Sequence, residues 1–272
     1  MRLLQEQERR QCEDSFTFFF RRAWKVLNPT VKLSAPLYVD YICEWLEEMA
    51  AGNVQRLIVN IPPRCAKSTL CAVTFPIWMW LRDPSKRGLF CSHAEALALE
   101  HGTMRSRIVN TPWFQRHWGD RFKLTADNAN QLKNDKTGHY QAITVSGATG
   151  HGGTILVVDD LHSAKGAASD ADRERDIRLF DTALLSRLDD PPHAQILVIM
   201  QRLHDRDLTG HLLAQGGWTH ILLPAVAEED QMLVFPRTRR VWHRPVGDYL
   251  DPNRLGPQEL DAIRRSPEHG PM

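Results

Sequence analysis

The sequence predicts an α/β fold in which a mainly parallel central sheet is flanked by helices. Three segments carry that prediction. Residues 57–61, 155–158 and 194–200 are short apolar runs rich in β-branched residues, the pattern of strands buried on both faces. Each gives way to polar residues: Pro63-Arg64-Cys65-Ala66-Lys67-Ser68-Thr69 after the first, Asp159-Asp160 after the second and Gln201-Arg202 after the third. Ligands of open α/β sheets bind beyond the carboxyl ends of the strands, so these ends define one candidate site.

In chain order, residues 1–28 pass from the polar run Gln5 to Arg10 into Phe16, Phe18, Phe19, Phe20 and Trp24, as in a helix that starts in solvent and ends against the core. The aromatic cluster fits packing better than base stacking. Helical spacing returns over 38–46 and ends at Gly52-Asn53. The first strand covers 56–61, and a helix over 67–81 follows that Pro76 should kink. A second short strand is expected at 88–92, then a helix over 94–109 with Arg105 and Arg107 on a polar side, stopped by Thr111-Pro112-Trp113. The runs 122–124 and 140–145, with the turn signal Asp135-Lys136-Thr137-Gly138 before the second, predict a hairpin. Residues 147–153 hold four glycines in seven positions, which frees the backbone for close approach; a flexible loop and a ligand- or DNA-facing loop fit equally.

After the strand that ends in Asp159-Asp160, Ser169 and Asp170 can cap a helix running to Leu185. The strand 194–200, a helix over 205–215 closed by Gly216-Gly217, and a strand over 218–223 complete the core. Beyond Glu228 the apolar periodicity weakens. Arg237, Arg239, Arg240 and Arg244, with Trp242 among them, fit an exposed linker better than a nucleic-acid contact. The expected division is a helical region at 1–52, a core at 53–227 and a linker at 228–272.

Composition narrows the function classes. With 34 basic and 33 acidic side chains the formal charge is +1, so any DNA contact must come from a local patch. Five cysteines, an odd number without C-x-x-C spacing, argue against a disulfide framework and a zinc ribbon. The twelve histidines lack metal-binding spacing. No apolar run reaches the ~18 residues of a membrane span, and the N-terminus is charged. A soluble intracellular protein without a membrane partner is expected.

Lys67 and Ser68 fill the last two places of G-x-x-x-x-G-K-[ST], but Ile61 and Ala66 occupy the glycine places. In such a loop the amides at a helix N-terminus and the lysine hold phosphates, and the hydroxyl ligates Mg²⁺. A Lys-Ser pair is also an ordinary polar helix start, so the stretch does not decide alone. Asp159-Asp160 has the form of a Walker B strand end: Asp159 would hold the Mg²⁺ shell and Asp160 would polarise the attacking water. Tyr38, in the helix upstream, could stack on an adenine or pack in the core.

Taken in order, these motifs resemble the large terminase subunit of tailed bacteriophages, the ATP-driven motor that packages double-stranded DNA into procapsids. The likeness runs from about residue 16 to 266. It includes Pro62 to Ser68, Thr149-Gly150-His151-Gly152-Gly153 into Val157-Val158-Asp159-Asp160, Leu184 to Leu188, Val198 to Leu208 and Gly216-Gly217-Trp218. The resemblance implies a RecA/ASCE-type P-loop NTPase fold binding ATP and Mg²⁺. Arg64 would be the arginine of the Walker A loop, and Gln201 and Arg202 the coupling motif on a strand between the Walker A and Walker B strands. Arg187 would be a finger reaching a neighbouring subunit of a ring. Portal protein and small terminase subunit would be partners, in the cytoplasm of a bacterial host with transient docking on the procapsid portal.

Two departures stand out. Ala66 replaces a glycine, at a cost of roughly 1–2 kcal/mol if its φ is positive. The family's second half is a nuclease, whereas here 247–254 resembles the linker leading into it, so no nuclease activity is expected. A truncated prophage remnant that binds nucleotide or partner proteins without turnover is the alternative. A cellular helicase-like translocase ranks below both, because no second Walker-type strand is visible.

Overall fold

The three apolar runs lie side by side in the centre of an eight-stranded sheet, in a computed structural model that describes residues 2–33, 36–143 and 152–265. β1 (Arg56–Asn60), β2 (Arg87–Ser92), β5 (His139–Ile143), β6 (Ile155–Asp159), β7 (Gln195–Met200) and β8 (Thr219–Leu222) are parallel, in the order β5-β2-β6-β7-β1-β8. β3 (Leu124–Asp127) and β4 (Gln131–Asn134) extend the β5 edge antiparallel. β7 therefore separates β1 from β6, the place that the resemblance implied for the strand ending in Gln201-Arg202.

Period-two alternation divides the core. Leu57, Val59, Val157, Leu197 and Ile199 pack on one face of the sheet, and Ile58, Leu156, Val158, Ile196 and Val198 on the other. The first face is covered by α1 (Arg2–Asp14), α2 (Phe16–Leu27) and α3 (Leu37–Ala50) together with α4 (Phe75–Arg82), α5 (Glu95–Val109) and α6 (Pro112–Trp118). The single N-terminal helix expected from sequence is two, because Ser15 leaves the helical region (φ −131°) and caps α2 by accepting the Phe18 amide. Phe16, Phe19 and Phe20 are fully buried, and Phe16 lies edge-on to Phe75 at 5.5 Å between centroids, so the cluster is packing.

The helix after Lys67-Ser68 does not simply kink. Residues Thr69–Thr74 form a π-helical turn, with the Phe75 amide bonded to the Leu70 carbonyl, before α4 begins. Pro76 has no amide for the Ala72 carbonyl four residues back, and Arg105 Nη1 donates to it at 2.7 Å. Arg105 is thus only 1 % exposed, its guanidinium 3.8 Å from the Phe90 ring centroid, contrary to its expected place on a polar side. Gly102 on the same helix has no room for a Cβ, which would meet the Ala129 carbonyl.

The expected hairpin is a three-stranded meander. Its predicted turn at 135–138 does join β4 to β5, with Thr137 at φ +68°, while Phe122 packs against Trp80 ahead of β3. On the other face, the helix expected from Ser169 to Leu185 is broken into α8 (Asp170–Leu179), a π turn Phe180–Leu184 and a 3₁₀ turn Leu185–Arg187, preceded by α7 (Ala164–Ala168). Ser169 caps α8 as expected. α9 (Leu208–Gln215) starts later than predicted because Asp207 caps it by accepting the Gly210 amide.

Beyond residue 228 the chain is folded against the body, where an exposed linker was expected. β9 (Gln231–Val234) and β10 (Val241–Arg244) form a hairpin whose Phe235 and Trp242 lie 5.2 and 6.0 Å from the Tyr41 ring of α3. The Glu44 carboxylate accepts from the Arg237 and Thr238 amides and the Thr238 hydroxyl. Arg244 is fully buried, donating to Gln231, Asp248 and the Pro224 carbonyl. α10 (Pro257–Arg265) follows. The predicted glycine-rich loop lies outside the described residues except for Gly152 and Gly153.

Candidate functional site

The site forms where β1, β6 and β7 end. Between β1 and the following helix the backbone of Arg64 (φ +64°) and of Ala66 (φ +55°) is left-handed, the conformation for which glycine is ordinarily used. Each Cβ there costs roughly 1–2 kcal/mol. The turn aims Lys67 inward: the side chain is buried, and Nζ lies 2.8 Å from both carboxylate oxygens of Asp160. The Ser68 hydroxyl stands beside Asp159 and favours the ionised form of its carboxyl.

Asp159, the last residue of β6, is 4 % exposed, and its Oδ1 has no hydrogen-bond partner. Burial first, and the charge of Asp160 second, push its carboxyl up to about 7, against the Ser68 hydroxyl and the Lys67 charge. His101 of α5 stands with Nδ1 3.7 Å from Asp159 Oδ2, beyond hydrogen-bond range. Burial, then the nearby Arg105 charge, hold this imidazole down at about 4, so it is neutral near pH 7.

Asp160 is held from three sides in a left-handed conformation (φ +47°). Its amide donates to the Ile199 carbonyl of β7 at 2.8 Å. Its carbonyl accepts from the amide (3.1 Å) and Nδ1 (2.8 Å) of His93, just past β2. Its carboxylate accepts from the Gln201 amide at 3.3 Å as well as from Lys67. Strain of this kind persists only where the surroundings over-determine it.

The other residues expected at the site are placed unequally. Pro63 and Arg64 are exposed on the outside of the loop, and Cys65 is buried, its thiol pushed up to about 11 by burial. Thr69 opens the π turn. Tyr38 is 2 % exposed, and its hydroxyl donates to the Cys65 carbonyl at 3.4 Å. It braces the loop from beneath, and a buried ring has no free face for an adenine. The loop is also held from the C-terminal segment, where Arg254 Nη1 donates to the Arg64 carbonyl at 2.8 Å.

Gln201 meets the site through its amide, but the Arg202 guanidinium is engaged by Asp207 (Nε to Oδ2, 3.0 Å) and the His204 carbonyl at the start of α9. Arg187 sits at the far end of the sheet, where its carbonyl accepts the Gly153 amide just before β6. A five-residue strand spans ~16 Å, so Arg187 and Lys67 of one chain do not meet. His93 and His101 were not singled out from sequence. The available signal was Ser92-His93, polar residues at the carboxyl end of another apolar strand.

These residues fit a phosphate and a hard cation. A buried carboxylate with an unpartnered oxygen beside a serine hydroxyl suits Mg²⁺, which takes one or two carboxylates and completes its shell with phosphate oxygens and water. Among the described residues no three His, Cys, Asp or Glu side chains form an all-protein metal cluster.

No family model and no curated protein matches the chain by sequence. Among solved structures it is similar to the large terminase from the thermophilic bacteriophage D6E in complex with ADP (TM-score 0.42, 11% identity, 65% of this chain and 44% of that one). It is also similar to the Thermus phage P74-26 large terminase ATPase domain (0.42, 10%, 58% and 64%). The third is the N-terminal domain of the DNA packaging ATPase from bacteriophage phi29 (0.41, 8%, 65% and 93%). The chain thus spans less than half the length of the D6E protein.

Proposed function

We propose that this chain is the ATPase motor domain of a phage terminase large subunit, hydrolysing ATP to drive double-stranded DNA into a procapsid. The observation that carries the reading is the pairing of Lys67 with Asp160, which joins the loop after β1 to the end of β6. ATP is the substrate. Mg²⁺, held by Ser68 and Asp159, would neutralise charge on the β- and γ-phosphates.

The chain's own residues supply the rest. Lys67 exchanges the Asp160 carboxylate for phosphate oxygens, and the loop and first-turn amides complete the cradle. Asp160, released from Lys67, orients the attacking water and accepts its proton. Gln201, bonded to Asp160 through its amide, carries loss of the γ-phosphate into β7 and α9. Arg187, at the opposite end of the sheet, would act on a neighbouring subunit of a ring. DNA, portal protein and small subunit are the proposed partners, in the cytoplasm of a bacterial host.

The test is ATP hydrolysis with and without double-stranded DNA, comparing the intact chain with Lys67→Ala. Hydrolysis stimulated by DNA and lost in Lys67→Ala is expected. Equal rates in the two proteins would sink the assignment.

A further inference from the structure

We propose that His93 is the positioning residue that holds Asp160 in its working conformation, acting through the Asp160 main-chain carbonyl. The kinetic part rests on the ATPase reading above; the structural part does not.

Asp160 must turn its carboxylate back toward Lys67 at the point where β6 stops pairing. It does so with φ at +47°, a region that costs a non-glycine residue roughly 1–2 kcal/mol. The Ile199 carbonyl fixes only its amide side. On the carbonyl side, the His93 amide and Nδ1 converge on one oxygen at 3.1 and 2.8 Å and use both of its lone pairs. A contact at 2.8 Å with a carbonyl requires the imidazole to carry a proton on Nδ1.

The placement follows from the ladder. Ser92, the last residue of β2, pairs with Asp159, so the next residue on each strand meets beyond the sheet. His93 is exposed, and its flank lines an open cleft with Ser163 and Lys165. Truncating an exposed ring leaves no core cavity, so loss of function without loss of fold is the signature of positioning.

Asparagine carries an amide nitrogen in the place of histidine Nδ1, two bonds from Cβ, whereas the glutamine nitrogen corresponds to Nε2. In the intact chain, His93→Ala is expected to lower kcat for ATP about tenfold with KM changed less than about twofold. Without nucleotide, amide hydrogen exchange across residues 156–161 is expected to accelerate about tenfold as the Asp160–Ile199 bond frays. His93→Asn should restore both, and His93→Gln neither.

Exchange in His93→Ala equal to wild type overturns the proposal whatever the kinetics show. Equal rescue by Asn and Gln, or none by Asn, also overturns it, because the Nδ1 hydrogen bond would then not be the cause. A wild-type protein without ATPase activity, combined with faster exchange in His93→Ala and recovery in His93→Asn, overturns the proposed function and supports the positioning role.

Discussion

Ala66 shows how one side chain tunes the site. It occupies a glycine place and adopts φ +55°, so Ala66→Gly removes a local strain of roughly 1–2 kcal/mol. The glycine's greater freedom in the unfolded chain offsets ~0.4–1 kcal/mol of that. A net stabilisation up to ~1.6 kcal/mol is expected, read as a higher urea midpoint, together with tighter ATP binding. Asp159 and His101 give a pH signature. The Asp159 carboxyl is raised to about 7, so its contribution to stability is fullest below its ordinary value and declines as pH rises through 7. The His101 imidazole is lowered to about 4, so its contribution is present above its ordinary value and lost as pH falls toward 4. The two oppose each other and flatten the wild-type profile. Of these two, only the histidine contribution remains in Asp159→Asn, so stability measured without Mg²⁺ or nucleotide should rise more steeply with pH than in wild type between about 4 and 6.5. A profile parallel to wild type would contradict this. That Lys67, Ser68, Asp159 and Asp160 lie together was legible in the sequence because polar residues that follow neighbouring buried strands gather at one end of the sheet. His93 and His101 were not, since their roles depend on which strand lies next to β6. Tyr38 shows the converse: an aromatic at helical spacing fits a stacking face and a core equally until its neighbours are known.

At the scale of elements, apolar runs located the central strands to within a residue or two, because burial on both faces leaves little choice of side chain. Helix register was less legible. The sequence placed a disturbance at Pro76, but the accommodation is a π turn closed by Arg105, and a buried guanidinium on a carbonyl 33 positions away has no local signature. The pairing predicts non-additivity. Arg105→Met leaves the Ala72 carbonyl buried without its donor and should cost roughly 1–3 kcal/mol. Pro76→Ala supplies an amide that can serve the same carbonyl, so Arg105→Met should be milder in that background. A coupling of about 1 kcal/mol in a double-mutant cycle of urea unfolding is expected, and strict additivity would show that Arg105 acts only by filling space.

At the scale of the whole molecule, residues beyond 228 were the least legible part. Their buried apolar residues, among them Phe235, Leu250 and Leu255, are widely spaced, because they dock on a surface already formed by α3 and the loop after β8 and build no core of their own. Periodicity detects a segment's own core and misses one borrowed from elsewhere. The docked segment returns to the site, since the backbone that passes Asp251, a fully buried residue, carries Arg254 to the Arg64 carbonyl. Arg64 is one of the two left-handed residues of the loop, so this hydrogen bond falls where the backbone is most strained. Arg254 is itself exposed, and Arg254→Ala should change global stability by no more than about 0.5 kcal/mol. The loop, losing one of its outside supports, should bind ATP several-fold more weakly, with KM rising more than kcat falls. Arg254→Lys, which keeps the charge but not the reach of the guanidinium fork, should recover little. An unchanged KM in Arg254→Ala would separate the C-terminal segment from the phosphate loop; a raised one would make the docked segment part of the nucleotide site.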